Sequence, residues 1–304
     1  MTKSMAKMSV TVCIASIGRV SLLSTLKSLV ECNLPDQVML DVVIADDSAT
    51  GAIESMLNEQ LVSFPYNLTI IPSASGNIAI ARNTCLTNAS GDYLAFIDDD
   101  ETADKDWIAY FVNLAISTNA DAIFGPVDAV YPINAPQWIC DAKPFFKRVG
   151  MNGDIVKTGS TCNAFVKNSV INKFGLSFRP DLGKSGGEDT AFFAELSRHG
   201  ALLIASENAM VYEEVSIERL NVNHLGRRYV RGGQTYANLF ISSATVAKRL
   251  SSYVSAMVKI LVLLPLIILS YPMKKGFALK CAFKFWLNIG KLRNLFNMPI
   301  ISLY

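Results

Sequence analysis

The sequence predicts an α/β protein built on a mostly parallel, Rossmann-like sheet, and three observations carry that prediction. Short apolar runs alternate with helical periodicity through about the first 130 residues, the connections between them are short, and acidic residues stand at the carboxyl ends of two of the runs. Strands are expected near 9 to 15, 39 to 45, 67 to 72, 92 to 97 and 121 to 130, and helices near 20 to 31, 51 to 61, 77 to 88 and 105 to 118. Near-continuous apolar strands joined this way call for helices on both faces of the sheet, with ligands bound beyond the strands' carboxyl ends.

The first run needs one decision. Lys3 and Lys7 ahead of Val10-Thr-Val-Cys-Ile-Ala15 give a superficial likeness to a secretory leader, but Ser9 and Thr11 interrupt the apolar stretch and turn chemistry follows at Ser16 to Gly18. We read it as a core strand. From Tyr131 to about Thr158 the alternation breaks up, with Pro132, Pro136 and Pro144 among Trp138, Phe145 and Phe146; these aromatics are expected to pack back onto the protein or, near a cleft, to stack on a sugar face.

Composition narrows the classes of function. A net charge of +2 over 304 residues is too small for a nucleic-acid footprint. Six cysteines (Cys13, Cys32, Cys85, Cys140, Cys162 and Cys281) are scattered without metal-site spacing and read as reduced, structural residues of a cytoplasmic protein.

The chemistry concentrates in acids. Asp98, Asp99 and Asp100 follow the apolar run Tyr93-Leu-Ala-Phe-Ile97 directly, where like charges repel unless a cation neutralises them. A hard divalent cation such as Mg²⁺ or Mn²⁺, holding a diphosphate, is the expected partner. Asp46 and Asp47 end an earlier strand, so the two acidic clusters are expected on the same edge of the sheet.

Five segments in order, Val43-Ile-Ala-Asp-Asp-Ser48, Gly76-Asn-Ile-Ala-Ile-Ala-Arg-Asn83, Phe96-Ile-Asp-Asp-Asp-Glu101, Gly186-Gly-Glu-Asp189 and Arg227-Arg-Tyr-Val-Arg231, resemble the family 2 inverting glycosyltransferases over about residues 9 to 235. That resemblance implies the A-type glycosyltransferase fold and a UDP-hexose donor. Within the family the chain is similar to bacterial exopolysaccharide glucosyltransferases of the succinoglycan type. It implies that Asp47 accepts the ring N–H of uracil with Asp46 in support, and that Arg82 faces the nucleotide. Asp98 and Asp100 become the metal pair with Asp99 between them, and Asp189, beside Glu188, becomes the general base. Inversion by direct displacement needs such a carboxylate opposite the leaving diphosphate.

Plainer readings stand beside these. Asp-Asp-Ser is good capping chemistry, Arg82 can simply pair with a carboxylate cluster, and a helix start favours acids such as Glu188 and Asp189 on its own account. The family often has glycine where this chain has Ala79. Arg227 and Arg231 share a helix face, so one of them, with Arg228 alongside, is expected at the diphosphate, and His224 is either a further metal or phosphate contact or, as a lone histidine more often is, structural. His199, just before Gly200, reads as a helix cap.

The expected organisation is a catalytic domain over 1–240, with 9–130 as nucleotide-binding half and 131–240 as acceptor-side half, followed by a helical tail over 241–304. In that tail the uninterrupted apolar core from Ile260 to Leu269 is shorter than the roughly 20 residues of a full span. Lys274, Lys275, Lys280, Lys284, Lys291 and Arg293 follow, interleaved with aromatics. This pattern predicts a monotopic or re-entrant anchor turning at Ser270-Tyr-Pro272, on the cytoplasmic face of the bacterial inner membrane. The expected activity is hexosyl transfer to a hydroxyl of a lipid-linked or glycan acceptor. Two alternatives are a non-catalytic nucleotide-sugar-binding scaffold and a sugar nucleotidyltransferase. Against the second, Ser16-Ile-Gly-Arg-Val20 lacks a glycine-rich basic loop.

Overall fold

The computed structural model describes residues 7–60 and 63–301; Lys3 and position 61, to which the sequence reading extends, lie outside them. The elements run β1 (Met8–Ser16), α1 (Leu22–Val30), β2 (Val38–Asp46), α2 (Ala52–Gln60), β3 (Asn67–Pro72), α3 (Ile78–Asn88), β4 (Tyr93–Ile97), β5 (Glu101–Ala103), α4 (Trp107–Thr118), β6 (Ala122–Phe124) and β7 (Val127–Val130). They continue with α5 (Gln137–Cys140), β8 (Asn163–Lys167), α6 (Asn168–Phe174), α7 (Glu188–Arg198), β9 (Leu203–Ala205), β10 (Val211–Glu214), α8 (Val222–Tyr236), α9 (Val246–Ser270) and α10 (Lys275–Leu295). The chain divides into two compact units. One holds the residues up to Asp128 with Phe146–Glu213, the other Ala129–Phe145 with Glu214 onward.

The first unit carries a seven-stranded sheet in the order β3-β2-β1-β4-β8-β6-β9. β1 pairs in parallel with β2 and β4, and β2 with β3, as the alternation of short strands and helices requires. The one antiparallel member is β8, inserted between β4 and β6. Its two faces bury separate cores. Val10, Val12, Ile14, Leu26, Trp107 and Phe111 pack on one side, and Cys13, Cys85, Phe96, Phe124, Phe178 and Phe193 on the other. Cys13, Cys85 and Cys162 are thus buried free thiols, as a structural role implies.

The expected single strand over 121–130 is two strands. Gly125 and Pro126 break it: a Cβ on Gly125 would lie 2.0 Å from the Ala209 carbonyl oxygen, and Pro126 offers no N–H to continue a ladder. β7 then belongs to a second, three-stranded sheet with β5 and β10. Strand β5 has three residues, too short for a periodic signal.

In the second unit, α8 and α10 cross at backbone contact. A Cβ on Gly233 would sit 2.0 Å from the Leu287 carbonyl oxygen, and one on Gly290 2.0 Å from that of Val230. Phe145, Leu225, Leu279 and Phe283 form the core around this crossing, and Tyr229 stacks on Phe283 at 4.3 Å. The sequence reading drew its boundary at 240, but α8 packs along α10, so 129–145 and 214–240 group with the tail. Phe283 is therefore buried core and not part of an interfacial face.

The tail itself is longer than its ten-residue apolar core suggested. α9 runs 25 residues with Pro265 inside it, and its most apolar stretch of 18 residues has mean hydropathy 2.2 with 11% of that stretch buried. By length and composition it is sufficient to cross a membrane. At Tyr271-Pro-Met-Lys274 the chain turns, and α10 packs back against α9.

Candidate functional site

The parallel strands β1, β2 and β4 end at Ser16, Asp46 and Ile97, and the first unit's polar side chains collect beyond those ends. Asp46 is 4% exposed and builds the turn there: its Oδ1 accepts the Ser48 N–H at 2.9 Å, and its carbonyl accepts those of Ser73 and Ala74. Asp47 anchors the loop before α3. Its Oδ1 accepts the Ser75 N–H at 2.6 Å, the Ser75 hydroxyl at 2.8 Å and the Gly76 N–H at 3.2 Å, while Oδ2, among the described residues, accepts only the Asn77 N–H at 3.0 Å. The capping expected of Asp-Asp-Ser falls to Ser48, whose hydroxyl accepts the Ala52 N–H at 3.3 Å, while Asp47 serves the loop before α3, and its Oδ2 is the oxygen with capacity for a further donor.

Asn77 extends this connection. Its Oδ1 caps α3 at the Ala79 N–H, and its Nδ2 donates to the Pro180 carbonyl at 2.9 Å. A Cβ on Gly183 would fall 1.7 Å from Asn77 Oδ1, so only glycine lets the 180–187 loop lie this close. The loop then reaches α7 through Gly186 and Gly187, at φ 84° and 96°, a left-handed path that a side chain would strain.

Arg82 is where strand-end and helix-start acids meet. Only 8% exposed, its Nη1 donates to Glu188 Oε1 and its Nη2 to Asp98 Oδ1 at 3.2 Å. Burial opposes its charge, but Asp98, Glu188 and Asp189 together hold the guanidinium above its ordinary value. The ion-pair reading of Arg82 is therefore observed, with the carboxylates that the family resemblance singles out. Glu188 is 5% exposed; burial and Asp189 push its carboxyl up, and its Oε2 has no hydrogen-bond partner among the described residues. Asp189 is held from both sides, Oδ2 accepting the Ser160 hydroxyl at 2.6 Å and Oδ1 the Thr190 N–H at 2.6 Å.

The three consecutive aspartates divide their work. Asp99 is 4% exposed, accepts the Ser16 hydroxyl at 2.6 Å and pairs with Arg19 at 2.9 Å. Asp98 and Asp100 keep side chains 38% and 30% exposed, Asp100 taking the same Arg19 nitrogen at 3.1 Å. Burial, then Asp98, pushes the Asp100 carboxyl up to about 6. Glu101, 1% exposed, is raised further by burial and Asp98, and accepts the Asp98 N–H at 3.1 Å. Among the described residues no group of three or more His, Cys, Asp or Glu forms a ready-made metal cage. The two accessible, mutually repelling carboxylates suit a cation that takes one or two protein ligands and completes its shell from phosphate oxygens and water.

Sequence reasoning missed Arg19, Ser16, Asn77, Glu101 and Ser160. Asn83, quoted in the motif without a role, fixes Phe178 by a reciprocal pair of 2.8 Å bonds. His224, Arg227, Arg228 and Arg231 lie on α8 in the second unit. There burial and the neighbouring Arg219, Arg228 and Arg227 lower the pKa of His224, a setting that disfavours a further positive charge, and Arg228 stacks on Phe145 at 4.9 Å. His199 ends α7 as its cap residue and stacks on Phe174.

The raised acids have a consequence for the metal-free protein. Carboxyls whose folded-state pKa exceeds the unfolded value bind protons more tightly when folded, so ionising them costs stability as pH rises and the cost lifts as pH falls, for Asp100 through about pH 6. His224, lowered, acts in the opposite direction below its ordinary value. Asp99, Asp100, Glu101 and Glu188 outnumber it. The expected result is a thermal midpoint a few degrees higher at about pH 5.5 than at about pH 7.5, with Mn²⁺ raising it more at the higher pH. A midpoint that drops on mild acidification, or a pH-independent Mn²⁺ effect, contradicts this electrostatic account.

Known proteins resemble this chain in sequence and in fold. The model of glycosyl transferase family 2 matches residues 11–175. The chain is 36% identical over 233 residues to the succinoglycan biosynthesis protein ExoM of Rhizobium meliloti, covering 76% of this chain and 75% of that protein. Among solved structures, the mannosyltransferase PcManGT of Pyrobaculum calidifontis, in complex with GDP-Man and Mn²⁺, is similar with a TM-score of 0.64 at 17% identity, over 97% of this chain and 89% of that one. TarS of S. aureus, residues 1–349 in complex with UDP-GlcNAc, is similar with a TM-score of 0.54 at 14% identity, over 96% and 93%.

Proposed function

The chain belongs to glycosyl transferase family 2, and on that premise we propose that it is an inverting hexosyltransferase. It moves a hexose from a UDP-sugar to a hydroxyl of a membrane-linked glycan acceptor, in the assembly of a bacterial exopolysaccharide. The observation that carries this reading is the Arg82 bridge, which draws the strand-end Asp98 and the helix-start Glu188 into one buried cluster with Asp189 in electrostatic reach. The likeness to ExoM supports the pathway class, and the nucleotide-sugar complexes of the similar structures support the donor class.

In this reading Asp98 and Asp100 hold Mg²⁺ or Mn²⁺, which when bound neutralises charge on the departing diphosphate. Asp47 offers Oδ2 to the base N–H, with the Ser75–Asn77 loop fixing its carboxylate. Asp189 takes the proton of the acceptor hydroxyl, its orientation set by Ser160 and Thr190. Arg82 and Glu188 hold the acids of strand and helix in register. The α9–α10 hairpin rests on the cytoplasmic membrane surface and brings the enzyme to a lipid-linked acceptor.

A screen of UDP-hexoses and other nucleotide sugars with purified protein in detergent, with and without Mn²⁺, tests this. The expected result is divalent-dependent release of UDP from one UDP-hexose, accelerated by a lipid-linked acceptor. Pyrophosphate release from UTP plus a sugar phosphate would make it a nucleotidyltransferase instead, and UDP binding with no turnover on any donor would make it a scaffold.

A further inference from the structure

At the turn between α9 and α10 the second unit contains a cavity of about 420 Å³ lined by Trp138, Asp141, Met273, Lys274, Lys275 and Lys280, with Phe277 at its edge. We propose that this cavity is a binding site for the terminal phosphate of a membrane lipid headgroup, a phosphomonoester or diphosphate, with the hydrocarbon chain leaving along α9. The inference rests on the membrane-docked reading above and adds a specific ligand to it.

Charge gives the first argument. Three lysines and one acid line the cavity; Lys275 Nζ lies over the Tyr271 ring at 5.8 Å, and Asp141 is already engaged, its Oδ1 accepting the Gln137 amide at 2.8 Å. The surplus of about two positive charges matches a terminal phosphate, whose second ionisation lies near neutrality, better than a singly charged phosphodiester. Lysine suits the task as a mobile point-charge donor to phosphate oxygens.

Shape and position give the second. Gly276 seats the start of α10 against α5: a Cβ there would lie 3.2 Å from both Asp141 Cβ and the Trp138 carbonyl oxygen. The cavity wall therefore depends on glycine at this point, and its size is in the range of small-ligand sites. Its rim is greasy where a lipid chain would leave, with Met273 82%, Tyr271 53% and Phe277 50% exposed. From there α9 offers Leu269, Leu261 and Ile268, which are 71%, 73% and 63% exposed. Trp138, with its apolar ring and single N–H, belongs at such a water–lipid boundary. An exposed apolar helix beginning at a lysine-lined cavity is the arrangement a phosphorylated lipid requires.

Flotation of the full-length protein with phosphatidylcholine vesicles tests the site. The vesicles are doped with phosphatidic acid or, at equal surface charge, with phosphatidylglycerol. Wild type is expected to prefer phosphatidic acid. Lys274→Gln/Lys275→Gln/Lys280→Gln should lose about tenfold or more of its phosphatidic acid affinity and with it the preference. Lys248→Gln/Arg249→Gln/Lys284→Gln removes equal charge from exposed positions outside the cavity, and should weaken both vesicle types alike while keeping the preference. Matching thermal midpoints establish that both variants fold. Equal losses by the two variants on both vesicles, or no wild-type preference, overturn the proposal. So does stabilisation by soluble glycerol phosphate as strong as that by the vesicles, which would make the occupant a free phosphate. Donor hydrolysis by wild type in detergent is read separately, so a failed transferase reading and a failed headgroup site are told apart.

Discussion

Asp189→Asn is expected to lower sugar transfer by about 10²–10⁴-fold while leaving donor binding close to wild type. The asparagine keeps the carboxylate's shape, and its Oδ1 can still accept the Thr190 N–H that Asp189 accepts at 2.6 Å. Its amide nitrogen can donate to the Ser160 hydroxyl, which in the native protein donates to Oδ2. Packing and the start of α7 are thereby retained, so the variant removes proton acceptance and little else. Titration calorimetry with UDP and Mn²⁺ measures the donor side, and acceptor-dependent turnover measures the reaction. Loss of UDP affinity in parallel with turnover would move Asp189 to the donor or metal side. Undiminished turnover would end its assignment as base. A companion variant, Ser160→Ala, removes the hydroxyl that donates to Oδ2, and is expected to reduce turnover by a smaller factor than removal of the carboxylate.

Much of this was legible in the sequence because it rests on local pattern. The strands expected near 9 to 15, 39 to 45, 67 to 72 and 92 to 97 appear as β1 to β4; β1, β2 and β4 are apolar runs with side chains in both cores, while β3 lies at the sheet edge and only half-buries Leu68 and Ile70. The strand-end aspartates follow from the same pattern, because a parallel sheet places such ends on one edge. What the sequence conceals is pairing between distant residues. Arg19 meets Asp99 across 80 positions, Asn77 meets Pro180 across 103, and Arg82 meets Glu188 across 106. No periodicity encodes those distances. The antiparallel β8 is hidden in the same way, since its three apolar residues, Ala164-Phe-Val166, carry no sign of direction. The tail's helix outruns its apolar core because Lys259 and the small polar residues before it interrupt the hydrophobic run but not the helix. In the structure they are simply part of the same 25-residue helix.

Arg82→Met is expected to be the most destabilising single change at the site, costing about 3–5 kcal/mol, because it removes one partner of a buried ion pair and strands the other. The side chain is 8% exposed, and methionine fills the apolar part of its volume, so cavity formation contributes little. The loss comes from Glu188, 5% exposed, whose Oε1 would lose its guanidinium while Oε2 already lacks a partner among the described residues. Asp98 suffers less, since at 38% exposure water can replace the arginine. Two outcomes distinguish this account from a general packing defect. Glu188 unpaired will protonate more readily, so the variant should recover stability as pH falls toward 5, by more than wild type does. Adding Glu188→Gln should recover part of the loss, because the neutral amide needs no counter-charge in the same space. The resulting coupling, read by denaturant titration of the two single variants and the double, should be about 1–3 kcal/mol. Strictly additive losses would mean that Arg82 and Glu188 do not depend on one another. The buried link between the acids of strand and helix would then not be what organises the site.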